Sequence, residues 1–201
     1  MLRWLSKLIL RLFGWHTDGS LPEGLTRVVI ISAPHTSLWD FVIGRLTFWA
    51  IRINIRFLIK SEAFRPPWGF FMKRLGGIPV ERGTRNRMVD QVAKMFSDHD
   101  SLAVVITPEG TRQLVTQWKK GFYLIAMRAN VPIALSYINY GDKTGGIGPI
   151  LNPTGDYDKD LEFIQEFYRD KVARHPDRFS LSYHQRKYQK KRSLQPEDPS
   201  S

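Results

Sequence analysis

A chain of 201 residues, 42% of them hydrophobic, is long enough for one compact core with short appendages. Its mean hydropathy of -0.30 excludes a polytopic membrane protein, and the absence of cysteine excludes a disulfide framework, a thiolate zinc site and a cysteine nucleophile. The formal net charge of +11 and the pI near 10.0 call for an anionic counterpart: a polyanion, an anionic membrane surface or an acidic substrate.

Met1 to Trp15 carries Leu2, Leu5, Leu8, Ile9, Leu12 and Phe13, with Arg3, Lys7 and Arg11 spaced by four. On a helix that spacing puts the three cations on one stripe and most of the aliphatic bulk on another face. The run is shorter than the ~20 apolar residues that span a bilayer. It reads as an amphipathic helix lying in a membrane interface, with Trp4 and Trp15 at headgroup depth. The competing reading is a helix packed on its own domain.

Pro22-Glu23-Gly24 marks a turn, and residues 27–32 form the first strand. A helix follows from Asp40 to Ala50, with Ser37 or Asp40 available to cap it. Residues 54–59 read as a strand, and Pro66-Pro67-Trp68 opens a short helical stretch that closes at Gly76-Gly77. Ile78-Pro79-Val80 is extended, and its proline asks for an edge. Residues 84–97 read as helix, 102–106 as a buried strand, 119–130 as helix and 133–138 as strand. A short strand surrounds residues 147–151, and a helix occupies 157–173. Strands alternating with helices predict an α/β fold: a mixed, largely parallel central sheet with helices on both faces. The expected organisation is an interface helix over 1–20, a catalytic domain over 21–180 and a basic tail over 181–201.

Two loops at the ends of buried strands hold the candidate chemistry, where open α/β sheets assemble their sites. His35-Thr36-Ser37-Leu38-Trp39-Asp40 follows the run Arg27 to Ile31. An imidazole with an aspartate in such a loop is a candidate general base with its orienting partner. Pro108-Glu109-Gly110-Thr111-Arg112 follows Leu102 to Ile106. Gly145-Gly146-Ile147-Gly148 leads into Pro149 with no lysine behind it and is no phosphate loop. No histidine pair has metal-ligand spacing with an acid nearby, so His16, His99, His175 and His184 read as surface or loop residues and no metal is expected. Phe48, Trp49, Trp68, Phe70 and Phe71 are candidates for an acyl groove or for core.

The segment Pro34 to Asp40, with its His-x4-Asp spacing, resembles the first block of the glycerolipid acyltransferase superfamily, which includes the lysophosphatidic acid acyltransferases. Gly76 to Arg82 resembles the second block, and Thr107-Pro108-Glu109-Gly110-Thr111-Arg112 is very close to the third. Val131-Pro132-Ile133, behind Lys119-Lys120-Gly121-Phe122, resembles the fourth. The blocks run in family order from residue 34 to 135. The chain departs from the pattern at Pro34, where asparagine is usual, at Pro79-Val80 in place of phenylalanine-isoleucine, and at Ala134-Leu135, where a second proline is common.

The resemblance implies an O-acyltransferase that moves a fatty acyl group from acyl-CoA or acyl-ACP to the hydroxyl of a lysolipid, with the acceptor's own hydroxyl as nucleophile. It needs no cofactor beyond the thioester co-substrate. His35 is then the base and Asp40 its partner, while Ser37 supports the loop. Arg82 and Arg112 are the candidates for a phosphate, since guanidinium presents a planar fork of donors. Glu109 accepts from the acceptor hydroxyl or holds an arginine. Gly110 lets backbone approach the substrate or turns sharply, Thr111 caps or bonds the substrate, and Lys120 joins the anion site or lies on a solvated face. Lysophosphatidic acid is the leading acceptor, and a lyso-form of an amino-acid-containing lipid is the alternative. The expected place is the cytoplasmic face of the cell membrane, on anionic lipid. The rival class, a nucleic-acid- or lipid-binding module without catalysis, has the net charge, the pI and the basic tail behind it, but the cations are spread along the chain; nucleic acid is not the expected partner.

Overall fold

The computed structural model describes residues 2–66, 68–80 and 85–181. Helix α1 (Leu2–Leu12) leads into a three-residue strand β1 (His16–Asp18). Then come β2 (Arg27–Ala33), α2 (Leu38–Ala50), β3 (Ile55–Lys60), α3 (Trp68–Arg74) and β4 (Gly77–Val80). Helix α4 (Arg85–Asp98), β5 (Leu102–Ile106), α5 (Gly121–Ala129), β6 (Ile133–Asn139), β7 (Thr144–Leu151) and α6 (Tyr157–Tyr168) complete the order. The strands form one sheet in the order β1-β7-β6-β2-β5-β3-β4. Neighbours from β6 through β4 are parallel, β7 is antiparallel to β6, and β1 is parallel to β7. The α/β architecture expected from the alternating pattern is the one formed, and Pro79 lies on edge strand β4.

The central strand β2 is apolar on both sides because both sides are covered. Val29, Ile31 and Ala33 pack with Phe96 of α4, Phe122 and Ile125 of α5 and Ile164 of α6. Val28 and Ile30 face the other way, onto Phe48 of α2. Outside α2 lies α1, seated through Ser6 and Leu10, which are 2% and 3% exposed. The aliphatic face of α1 stays outward, while the cation stripe flanks the seat: Arg11 is exposed, Lys7 is half-buried, and Arg3 Nε donates to the Ala50 carbonyl at 3.4 Å.

Three expectations change. Trp15 does not sit at headgroup depth: the chain turns at Gly14 (φ 74), and Trp15 is buried edge-on to Tyr140 at 5.0 Å. The second strand of the β6–β7 pair starts at Thr144 and so absorbs the glycine cluster. A Cβ on Gly146 would stand 1.8 Å from the carbonyl oxygen of Asp18, so glycine is what lets β1 dock there. Strand β1 itself is too short and too polar to show any alternation. The helix expected over 157–173 stops at Tyr168, and the chain returns toward β2, where the His175 N–H donates to Thr36 Oγ1 at 3.2 Å.

Candidate active site

The parallel pairing of β2 with β5 sets Ile31 opposite Ile106, so the two chains leave the sheet at the same level. The loops they enter begin with Ala33-Pro34-His35 and Thr107-Pro108-Glu109. Strand β6 pairs with β2 on the other side, Ala33 opposite Tyr137, and brings Tyr140 to the same end. Segments 74 and 100 residues further along the chain therefore reach the His35–Asp40 loop.

Asp40 is placed by helix chemistry. Ser37 caps α2 by accepting from the Trp39 N–H at 3.2 Å, and Asp40 reaches back to accept from the Ser37 N–H at 2.7 Å, which closes a capping box. The same oxygen, Oδ2, accepts from the Thr36 N–H at 2.6 Å, and Oδ1 accepts from the Tyr140 hydroxyl at 2.8 Å. The carboxylate is 5% exposed. Its Oδ2 lies 3.7 Å from His35 Nδ1. That is too long for a hydrogen bond and short enough for a charge on the imidazole to be felt. Nδ1 faces Asp40, which leaves Nε2 for a substrate.

Burial holds the His35 pKa below its ordinary value; Asp40 opposes this and the Arg112 cation adds to it. The ring is neutral near pH 7, as a base must be before it takes a proton. Glu109 is 2% exposed and serves the same loop: both carboxylate oxygens face the His35 backbone N–H, at 3.0 and 3.2 Å. It bonds the main chain that carries the base. Burial, against the opposing His35 hydrogen bond, pushes its pKa up to about 8. Folding thus favours protonated Glu109. Its contribution to stability is fully present below the ordinary value of 4.5 and is lost as the pH climbs through about 8. Glu109→Gln keeps an acceptor for the His35 N–H and removes the titration. The variant is expected to gain on the parent in melting temperature as the pH rises from 4.5 to 8; parallel curves would contradict this account.

Gly110 turns the third block outward with φ 68, and a Cβ there would collide with the Lys119 side chain. Thr111 and Arg112 are exposed beyond it, and the Thr111 Oγ1 accepts from the Gln113 N–H at 3.3 Å. Arg112 reaches the site through its field on His35. Lys120 holds its Nζ 4.1 Å from the ring centroid of Tyr157. Arg82, the tail beyond Leu181 and the side chain of Trp68 lie outside the described residues.

Beside His35 a half-open pocket lies between α2 and the sheet, about 440 Å³ of space with the open solvent at its mouth counted in. Ser32, His35, Asp40 and Thr107 line it with polar groups; Phe41, Phe48, Ile55, Phe57 and Val105 supply apolar wall. Of the expected groove aromatics whose side chains are described, only Phe48 lines it. Phe70 and Phe71 are 68% and 56% exposed, and Trp49 lies under Arg45. Phe41 and Phe57, edge to face at 5.0 Å, were missed. So were Tyr140 and Arg45. A signal existed for Arg45: Phe41, Gly44, Arg45 and Phe48 follow the i, i+3, i+4, i+7 spacing of one helix face, with a cation in an apolar stripe. Tyr140 had none. Among the described residues no group of three or more His, Cys, Asp or Glu is arranged to hold a metal.

Residues 16–138, more than half of the chain, match the family model described as Acyltransferase. The fold is similar to the crystal structure of the 1-acyl-sn-glycerophosphate (LPA) acyltransferase PlsC from Thermotoga maritima. The TM-score is 0.59 at 18% sequence identity, over 83% of this chain and 74% of that one. No curated protein matches the chain significantly.

Proposed function

The chain belongs to the acyltransferase family, and from that premise we propose that it transfers a fatty acyl group from a thioester, acyl-CoA or acyl-ACP, to the hydroxyl of a lysolipid. Lysophosphatidic acid is the leading acceptor. The observation that carries the reading is a neutral, half-buried imidazole, backed by a buried carboxylate, at the head of a largely apolar pocket. His35 Nε2 takes the hydroxyl proton as the acceptor oxygen attacks the thioester carbon. The imidazolium formed is stabilised by Asp40 and returns the proton to the departing thiolate as the C–S bond breaks. Arg112, and Arg82 with it, hold the acceptor's phosphate.

The substrates are brought by the membrane surface. Helix α1 exposes Trp4, Leu5, Leu12 and Phe13, and Leu38, Trp39 and Val42 are exposed beside the catalytic loop. Eleven residues of helix reach about 16 Å, half a hydrocarbon core. No helix among the described residues is long and apolar enough to cross a membrane. In this reading α1 lies on the cytoplasmic leaflet, its cations on anionic headgroups.

The test is acyl transfer from labelled thioester to a panel of lysolipids, presented in anionic vesicles and as short-chain soluble analogues. At least one lysolipid is acylated, and the Leu5→Ser/Leu12→Ser double variant loses roughly tenfold on the vesicle-borne acceptor while keeping its rate on the soluble one. Failure to acylate any acceptor overturns the function, and equal loss on both forms overturns the role of α1.

A further inference from the structure

Arg45 is the most isolated charge in the described part of the molecule. It is 6% exposed, in the third turn of α2. Its Nε has no hydrogen-bond partner, and no described carboxylate forms an ion pair with it. One guanidinium nitrogen donates to the Ile55 carbonyl at a long 3.4 Å, and the group lies over the Trp49 ring at 4.6 Å. Burial and the neighbouring cation Arg56 both disfavour its charge, yet a guanidinium does not give up its proton in a protein. Burying a charge without a counter-charge is among the costliest arrangements a fold can contain.

The guanidinium lines the same pocket as His35. The register gives their separation. Ile55 pairs with Ala103, and Thr107, at the His35 end, lies four residues further along the same direction. At ~3.3 Å per residue the pocket runs about 13 Å down the sheet, from the catalytic loop to Arg45. Phe41, Phe48, Phe57 and Val105 wall the interval. Gly76, with φ 95, stands against the guanidinium, where a Cβ would lie 3.7 and 3.8 Å from its nitrogens.

We propose that Arg45 is an anion-binding subsite at the far end of the catalytic pocket. It takes a phosphate or carboxylate that a substrate carries about 13 Å from its reacting atom, across an apolar spacer. The anion supplies the counter-charge that no described carboxylate provides, and the acceptor for Nε. That the occupant is a substrate of acyl transfer rests on the function proposed above; the anion subsite itself does not. The group comes from one of two sources, the distal end of the transferred acyl chain or the headgroup of the acceptor.

Two measurements on the full chain test this. In the first, melting is followed at constant ionic strength with rising inorganic phosphate or octanoate, for the parent, Arg45→Met and Arg45→Gln. The parent is stabilised by one of these anions, and both variants lose that increment. Gln keeps a donor for the Ile55 carbonyl and covers the case in which Met fails to fold. An unchanged increment in a folded variant overturns the subsite. In the second, kcat/KM is compared for donors ending in a methyl or a carboxylate, and for acceptors with a charged or neutral headgroup. In Arg45→Gln the charged-to-neutral ratio falls about ten- to a hundredfold in one series, which identifies the source of the anion. Equal loss on charged and neutral members of both series overturns the proposal. Absence of transfer from every pair would refute the acyltransferase reading and leave the melting result to decide the subsite.

Discussion

His35→Ala is expected to lower acyl transfer by about 10²- to 10⁴-fold with little change in melting temperature. The two halves of that expectation come from different atoms. The bond that fixes the loop is made by the His35 backbone N–H to Glu109, and alanine keeps it. The imidazole is partly exposed, at 23%, and makes its one close polar approach to Asp40 at 3.7 Å, so its loss leaves no buried donor without a partner. What disappears is the group that takes the hydroxyl proton. Because burial lowers the His35 pKa from 6.5, the acid limb of the parent's pH–rate profile should fall below that value. Activity is then full at neutral pH and declines as the ring protonates. Initial rates with a fixed thioester and acceptor between pH 5 and 8 decide it. A variant as fast as the parent would remove His35 from the chemistry, and a limb centred above 6.5 would contradict the buried neutral ring.

Asp40→Asn should cost both activity and fold. The buried carboxylate accepts from the N–H groups of Thr36 and Ser37 and from the Tyr140 hydroxyl, all within 2.6 to 2.8 Å. An amide offers one acceptor oxygen and turns an NH₂ toward donors. With the oxygen kept on the Thr36 and Ser37 N–H groups the capping box of α2 holds, and the NH₂ meets the Tyr140 hydroxyl, a buried donor left without its acceptor. The expected loss is about 2–4 kcal/mol of stability. Transfer should fall roughly 10²-fold or more, since the imidazolium loses its counter-charge. Tyr140→Phe removes one of the three bonds and should cost about 1 kcal/mol alone. It should add little in the Asp40→Asn background, because both changes remove the same hydrogen bond. Urea denaturation of the two single variants and the double variant measures this. Additive losses would separate Tyr140 from Asp40.

The legible part of this protein is local. Apolar runs such as Arg27 to Ile31 and Leu102 to Ile106 are buried strands, because only a two-sided burial tolerates so many adjacent aliphatic residues. Ser37 and Asp40 are three apart before a helical pattern, and the capping box they make is written in that spacing. The cation stripe and aliphatic face of α1 are read off in the same way. Gly110 announces a turn, and it has the positive φ of one.

The rest depends on partners distant in sequence. Trp15 looks like an interfacial tryptophan until the turn at Gly14 tucks it against Tyr140, 125 residues on. Glu109 sits in a block full of substrate-facing candidates, and only the pairing of β2 with β5 shows that it points at the His35 main chain. Arg45 carries a visible signal, but a cation in an apolar stripe is a snorkelling surface arginine unless the other elements close over it. The sequence by itself determined the α/β order, the capped helix that presents His35 beside Asp40, and the amphipathic first helix, because each follows from backbone periodicity and neighbours within one turn. Only the tertiary structure decided which carboxylate holds the base, that Tyr140 completes the Asp40 shell, and that a buried guanidinium closes the pocket, because those facts depend on strand register and on burial, and burial belongs to the folded chain alone.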